Sequence, residues 1–241
     1  MSRIVITGAS SGIGHHTAKA LIAAGHEVYN VDIERSPLLG LMTFNTDVSD
    51  EHDVKTTAKL AVLRDCASID ILINCAGVNF IDWIENTQSD DWDRVMNTNA
   101  KGIFNTTKAF MDNLIESKGT ILNIISNASH MPMTNSIAYN ASKGAAHIMT
   151  LQMARELGPK GITVFGISPN RVADTEMSKY IDEKVCGLRD WTPEFAREYQ
   201  LKALPAGEET DPEMLAEFIA FILDTKKRHK YMAGTIIPYG K

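Results

Sequence analysis

Short apolar runs alternate with helix-length amphipathic stretches from one end of this chain to the other. Ile4-Val5-Ile6 reads as a strand, and Gly14 to Ala24 as a helix with Ala18, Leu21 and Ile22 on one face. Gly25 closes that helix in the position glycine favours. Glu27 to Ile33 reads as the second strand. Ile69 to Cys75 is almost wholly apolar, as a central strand covered on both faces must be. Ser89 to Ile115 reads as one long helix, with Ser89 as its cap and Asp90 and Asp91 in its first turn. Thr120 to Ile125 is a strand, Ser136 to Leu157 a helix, Ile162 to Ile167 a strand, and Thr235 to Ile237 a short closing strand. Strands separated by helices require right-handed crossovers. The expectation is an α/β chain with a doubly wound parallel sheet and helices on both faces. No linker-like stretch divides the 241 residues, so residues 1–241 read as a single domain. Between Asp32 and Asp47 only Ser36 to Gly40 is left to connect two strands, enough for a turn or one helical turn.

Composition narrows the partners. Lys plus Arg is 24 against 30 Asp plus Glu, a net charge of -6, which gives no general attraction to nucleic acid or anionic lipid. The cluster Lys226, Lys227, Arg228, Lys230 reads as a solvated helix end. Cys66, Cys75 and Cys186 have no metal-ligand spacing, and their odd number argues against a disulfide framework. We expect no metal and a reducing, cytoplasmic setting. The N-terminal apolar run is too short for a signal peptide or a membrane span.

The first strand leads straight into Thr7-Gly8-Ala9-Ser10-Ser11-Gly12-Ile13-Gly14, and a helix follows. Glycines there permit a tight turn and let the backbone approach a pyrophosphate, whose charge the helix N-terminus meets. A dinucleotide site also needs an acid at the end of the next strand, and Asp32 is there. Such a carboxylate accepts hydrogen bonds from the ribose hydroxyls and repels a 2′-phosphate. Ser11 is not basic, and Arg35 is the only nearby cation, so NAD(H) is favoured over NADP(H).

Tyr139 and Lys143 stand four apart on a helix and share one face. An adjacent ammonium would lower the phenol's pKa and make it a usable acid or base near neutrality. Ser126 ends the preceding strand, where ligands bind in open parallel sheets. Asn99 lies within the long helix before it.

These motifs resemble the short-chain dehydrogenase/reductase family, in its single-domain, Rossmann-like branch, over nearly the whole chain. Thr7 to Gly14 resembles the family's T-G-x-x-x-G-x-G loop. Asp47-Val48 resembles its adenine-contacting pair, and Asn74-Cys75-Ala76-Gly77 its N-N-A-G, with Cys75 replacing the second Asn. Asn99-Ala100-Lys101-Gly102, Ser126, and Tyr139 to Lys143 resemble its Asn, Ser and Y-x-x-x-K elements, and Pro169 the start of its P-G turn. The resemblance implies a catalytic set of Asn99, Ser126, Tyr139 and Lys143. Tyr139 would be the acid in reduction and the base in oxidation, Lys143 its partner and a ribose ligand. Ser126 would hold the substrate oxygen, and Asn99 a relay water. It implies cofactor contacts at Gly8, Ser10, Ser11, Gly12, Ile13, Gly14, Asp32, Ile33, Asp47, Val48, Asn74, Ala76, Gly77, Tyr139, Lys143, Pro169 and Val172.

The turn after Pro169 departs from that pattern. Asn170 replaces glycine, and as the next best left-handed residue it would keep the turn. Thr175 comes one place later than the family's threonine, while Val172 is at its expected spacing. His15 and His16 read as exposed, and Trp83, Trp92 and Trp191 as partly buried; His130, four residues after Ser126, reads as a loop residue or a substrate neighbour, and Met131 and Met133 as pocket lining or loop filling, so none is assigned a site role. Arg171 to Leu204 is too long for a plain connection and reads as a mobile lid of two short helices, Pro193 opening the second. Its six basic and seven acidic residues create no field for a multiply anionic substrate, although one well-placed Arg could bind a carboxylate.

The expected activity is hydride transfer between NAD(H) and an alcohol/carbonyl pair, of 3-oxoacyl reductase or polyol/cyclic-diol dehydrogenase type. The alternatives are a noncatalytic dinucleotide sensor or scaffold, which would lose Tyr139 or Lys143, and a nucleotide-sugar epimerase or dehydratase, which would need a larger C-terminal part. The resemblance also implies a homo-oligomer, a tetramer, with Phe104, Phe110, Met149 and Met153 as surplus apolar surface.

Overall fold

The computed structural model describes residues 1–63, 68–224 and 229–240. Cys66 and the Lys226 to Arg228 part of the basic cluster lie outside the described residues. Among the described residues seven strands form one sheet: β1 (Arg3–Thr7), β2 (Glu27–Asp32), β3 (Met42–Asn45), β4 (Ile71–Asn74), β5 (Thr120–Ile124), β6 (Thr163–Pro169) and β7 (Ile236–Tyr239). Their order is β3-β2-β1-β4-β5-β6-β7, and every pairing is parallel. The helices are α1 (Gly12–Ala23), α2 (Glu51–Leu63), α3 (Ser89–Met96), α4 (Gly102–Ala109), α5 (Met111–Ser117), α6 (Ile137–Leu157), α7 (Glu176–Arg189), α8 (Pro193–Lys202) and α9 (Pro212–Leu223).

Period-two alternation makes the two cores. Ile4, Ile6, Ile71, Ile73, Leu122 and Phe165 face α1 and α9, with Leu21 and Ile219 packed on them. Val5, Leu72, Ile121 and Val164 face the opposite layer, with Phe110 and Leu114. Both faces are covered, so β4 and β5 are buried along their whole length. Each fully buried Leu, Ile or Phe contributes about 1.5–3 kcal/mol by leaving water.

Helix ends follow local chemistry. Gly25, at φ 82°, donates its N–H to Ile22 O while His26 N–H reaches Leu21 O, so two otherwise orphaned carbonyls are satisfied. The connection from β2 to β3 has turns and no helix. Pro193 stands in the first turn of α8, and the Thr192 hydroxyl accepts from Phe195 N–H at 3.3 Å.

The long helix expected over Ser89 to Ile115 is three helices. A π turn, Asn97–Lys101, separates α3 from α4, and Phe110 bends the chain into α5. The first helix begins at Ser89 with Gln88 outside it as the cap, and no side chain caps it. The π turn rotates Asn99 inward, where it is 1% exposed. Phe110 is completely buried and is core, not surplus surface. His15 and His16 are half-buried rather than exposed, and their rings meet edge to face at 5.4 Å.

Candidate active site

Between β1 and β4 the strand order reverses, which opens a crevice at the strands' C-terminal ends. Gly8 follows β1 with φ 75°, and a Cβ there would stand 2.7 Å from Ala76 Cα. A Cβ on Gly14 would stand 2.1 Å from Gly8 O. Only glycine lets these backbones meet, and the loop is left flat enough for another backbone or a phosphate to approach. Thr7 Oγ1 accepts from Cys75 and Ala76 N–H, both at 3.1 Å, and so ties the first crevice wall to the second.

Asp32 lies at the end of β2. Its Oδ2 accepts from Ser10 N–H at 3.0 Å and its Oδ1 from Glu34 N–H at 3.1 Å. Asn30 braces the same loop by accepting from Ala9 N–H at 2.9 Å. Ile33 projects into solvent beside Asp32. Asp47 Oδ1 accepts from Ser49 N–H at 2.8 Å, and Val48 is buried against Gly102. The flat glycine loop and the carboxylate at the next strand end fit a dinucleotide.

The reacting groups assemble on the far side of the crevice. Ser126 follows β5, and its Oγ accepts from Ala128 N–H at 3.2 Å. Tyr139 is in the first turn of α6, and its hydroxyl is hydrogen-bonded to Ser126. One turn on, Lys143 Nζ donates to Ile124 O at 3.0 Å and stands 5.7 Å from the Tyr139 ring centre. Gly77 comes from the β4 side, where a Cβ would be 3.4 Å from Asn99 Oδ1 and 3.7 Å from Lys143 Nζ.

Burial dominates the electrostatics. It pushes the Tyr139 phenol above its ordinary value, against the lowering effect of the Ser126 hydrogen bond. It holds Lys143 down at about 8. In the free chain Lys143 does not offset the rise at Tyr139: its ammonium lies over the ring, committed to Ile124 O. Burial also pushes the Cys75 thiol up to about 12, which leaves it without thiolate chemistry near neutrality.

Two of the expected contacts point elsewhere. Asn99 Oδ1 accepts from Val78 N–H at 2.8 Å, and its Nδ2 donates to Val78 O at 2.8 Å and Ser142 Oγ at 2.9 Å. The side chain fastens the loop after β4. Asn74 turns into the sheet: Nδ2 donates to Asn123 Oδ1 at 2.8 Å, and Oδ1 accepts from Thr106 Oγ1 at 2.7 Å. Asn123 Nδ2 donates in turn to Thr150 Oγ1 at 2.8 Å, completing a buried polar chain across β4 and β5.

The turn after β6 is also rearranged. Asn170 is not left-handed; its N–H still pairs with Tyr239 O at 2.9 Å. Asp174 takes the left-handed conformation at φ 56°, three residues beyond Arg171. That later turn absorbs the extra residue. It sets Thr175 at the cap of α7, where its Oγ1 accepts from Ser178 N–H, and its methyl lies 3.7 Å from where a Gly12 Cβ would be. Thr175 thus faces the glycine loop. Val172 is a core residue by its side chain, paired through its backbone with Thr210.

Residues 2–185 match the sequence pattern of the family described as "short chain dehydrogenase". The chain belongs to that family. A 3-oxoacyl-[acyl-carrier-protein] reductase of Thermotoga maritima is 29% identical, over 97% of this chain and 94% of that protein. A gluconate 5-dehydrogenase of Gluconobacter oxydans is 32% identical, over 98% and 92%. The solved structure of an NAD+-bound xylitol dehydrogenase superimposes with a TM-score of 0.91 at 27% identity, over 100% of this chain and 98% of that one. As a short-chain dehydrogenase the chain is a nicotinamide-dependent oxidoreductase of hydroxyl and carbonyl groups. Asn30 and Ser142 complete its crevice without having been singled out in the sequence. Of the two only Ser142 had a signal, since it lies inside the Tyr139 to Lys143 motif.

Proposed function

We propose that the chain is an NAD(H)-dependent dehydrogenase/reductase of a small alcohol/carbonyl pair. The observation that carries this is the convergence of Tyr139, Ser126 and Lys143 on a crevice opposite the Gly8 to Gly14 loop. Gly8, Ser10, Ser11, Gly12, Ile13 and Gly14 would hold the pyrophosphate. Asp32 would take the ribose hydroxyls, and Ile33, Asp47 and Val48 the adenine side. Ala76, Gly77, Pro169 and the Val172 backbone would border the nicotinamide, which supplies or accepts the hydride when bound. Ser126 would hold the carbonyl oxygen. Tyr139, kept protonated by burial, would give that oxygen its proton in reduction and take it back in oxidation. Lys143 would support the phenolate so formed. The side chain of Asn99 secures the Val78 loop, which leaves one lone pair of its Oδ1 for a relay water. The relatives named above point to a 3-oxoacyl or a polyol substrate class.

The cofactor preference is tested by the ratio of kcat/KM for NADH and NADPH. Wild type is expected to favour NADH, and Asp32→Ala to narrow the ratio by removing the charge that repels a 2′-phosphate. A wild-type preference for NADPH would sink the assignment and direct attention to the exposed Arg35.

Residues 171–204 are proposed as a substrate lid. α7 and α8 are joined by Trp191, whose ring meets Phe195 at 5.0 Å and Tyr199 at 4.8 Å. Arg171 ties the lid's base to Glu209 and, at 2.7 Å, to Asp182. We expect hydrogen exchange in this stretch to be faster than in the sheet and to slow with NADH plus substrate. Sheet-like protection in the free protein, unchanged by ligands, would make it a fixed wall instead.

A homotetramer is proposed as well. Trp92, Phe104, Ile137 and Ile148, at 37%, 48%, 40% and 62% exposure, leave apolar surface on α3, α4 and α6. Light scattering at micromolar concentration should give four chains; a monomer refutes this.

A further inference from the structure

The segment joining Ser126 to Tyr139 borders an open pocket of about 520 Å³, lined on its other side by Asp82, Trp83 and Ile84. Asn135 lines this pocket and is 8% exposed. Its backbone is left-handed at φ 68°, and its carbonyl accepts from Asp82 N–H at 2.9 Å.

The amide of Asn135 is half used. Arg189, in the last turn of α7, donates to Asn135 Oδ1 from Nε at 3.2 Å and from Nη2 at 3.0 Å. These two bonds fill both lone pairs of that oxygen and fix which way the amide faces, since Nδ2 turned toward a guanidinium would meet only donors. Nδ2 is then left buried with no partner among the described residues. A buried donor without an acceptor costs about 1–3 kcal/mol. Arg189 is itself aimed by stacking over Trp191, 4.8 Å from the ring. Nearby Asp82 is occupied within its own turn, accepting from Trp83 N–H at 2.6 Å and Asn86 Nδ2 at 2.8 Å.

We propose that Asn135 and Arg189 recognise a carboxylate on the substrate, a conclusion that rests on the oxidoreductase reading and narrows its substrate class. Asn135 Nδ2 takes one carboxylate oxygen. The guanidinium supplies the compensating charge and the N–H groups that Asn135 does not use. Because Arg189 belongs to the lid, binding the acid also couples substrate to the position of α7.

The test uses the whole protein with 3-oxobutanoate, 4-oxopentanoate and 3-oxocyclohexanecarboxylate, each beside its methyl ester, with NADH. Asn135→Asp keeps the left-handed backbone and the oxygen that Arg189 needs but removes the Nδ2 donors. Arg189→Met keeps the stem and removes the charge. At least one acid should exceed its ester in kcat/KM by about tenfold or more, mainly through KM. Both variants should abolish that preference while NADH affinity stays as in wild type. Calorimetric titration of the same acids into enzyme with NADH gives a readout independent of turnover. Acid binding seen in wild type and lost in both variants supports the site, even if nothing is reduced; that outcome counts against the oxidoreductase reading alone. Equal treatment of acids and esters, no acid binding to wild type, or a preference that survives both substitutions overturns the proposal.

Discussion

Tyr139→Phe is expected to lower kcat by about 10²- to 10⁴-fold, the usual cost of losing a positioned acid or base. NADH affinity should barely change. The ring packs with Val95, Ala128 and Ala138, and phenylalanine keeps those contacts. What disappears is the hydroxyl that meets Ser126. Because burial keeps that hydroxyl protonated, the wild-type enzyme is set up to donate a proton at neutral pH. Lys143 adds a pH signature. It is cationic below about 8 and neutral above, so reduction should decline as pH rises through that value. Steady-state rates from pH 6 to pH 10 with NADH titrations check both statements. If the variant retains more than about a tenth of kcat, Tyr139 is not the acid, and a noncatalytic dinucleotide-binding protein becomes the better account.

Gly14→Ala should have the largest effect on the cofactor crevice. The added methyl would stand 2.1 Å from Gly8 O and 2.8 Å from Gly8 C, both backbone atoms of the loop. No rotamer change relieves that contact, so the loop or the start of α1 must move. Overpacking of this kind costs about 1–3 kcal/mol of stability. The displacement also spoils the flat approach a pyrophosphate requires. NADH titration followed by cofactor fluorescence should show binding lost, and thermal unfolding should show a lower Tm. Gly187→Ala is the control. It lies within α7, where a Cβ meets nothing within 4 Å. Alanine there should raise helix stability by about 0.5–1 kcal/mol and leave NADH binding intact. Undiminished NADH affinity in Gly14→Ala would remove the glycine loop from the cofactor site.

The sheet and the reacting face were legible because periodicity and spacing report them directly. Apolar runs such as Ile71 to Asn74 have one way to be buried, and a four-residue interval on a helix has one geometry. The break between α3 and α4 was not legible, because Asn97 to Lys101 holds neither proline nor glycine. A π turn inserts one residue without changing the composition. The left-handed residue after β6 was misplaced for a related reason. Asn170 and Asp174 both tolerate that conformation; Asn170, whose N–H pairs with Tyr239 O of β7, does not take it, and Asp174 does. Phe110 was read as surface because a single long helix would carry it outward; the bend at that residue turns it into the core. The meeting of Asn135 with Arg189 depends on how the lid folds back, and no local pattern encodes it.

The polar chain from Thr106 through Asn74 and Asn123 to Thr150 bears on how the sheet is assembled. Apart from Thr120 at its start, β5, like β4, is otherwise a run of isoleucine and leucine, and such runs would accept one another in several alignments at little cost. Asn74 lies directly opposite Asn123. Sliding one strand by a single residue sends its asparagine to the other face and strips partners from amides and hydroxyls that are almost wholly buried. Each group so stranded costs about 1–3 kcal/mol. The pair therefore acts as a proofreading step for strand alignment, and it does so at the two strands whose ends must deliver Gly77 and Ser126 to the same place.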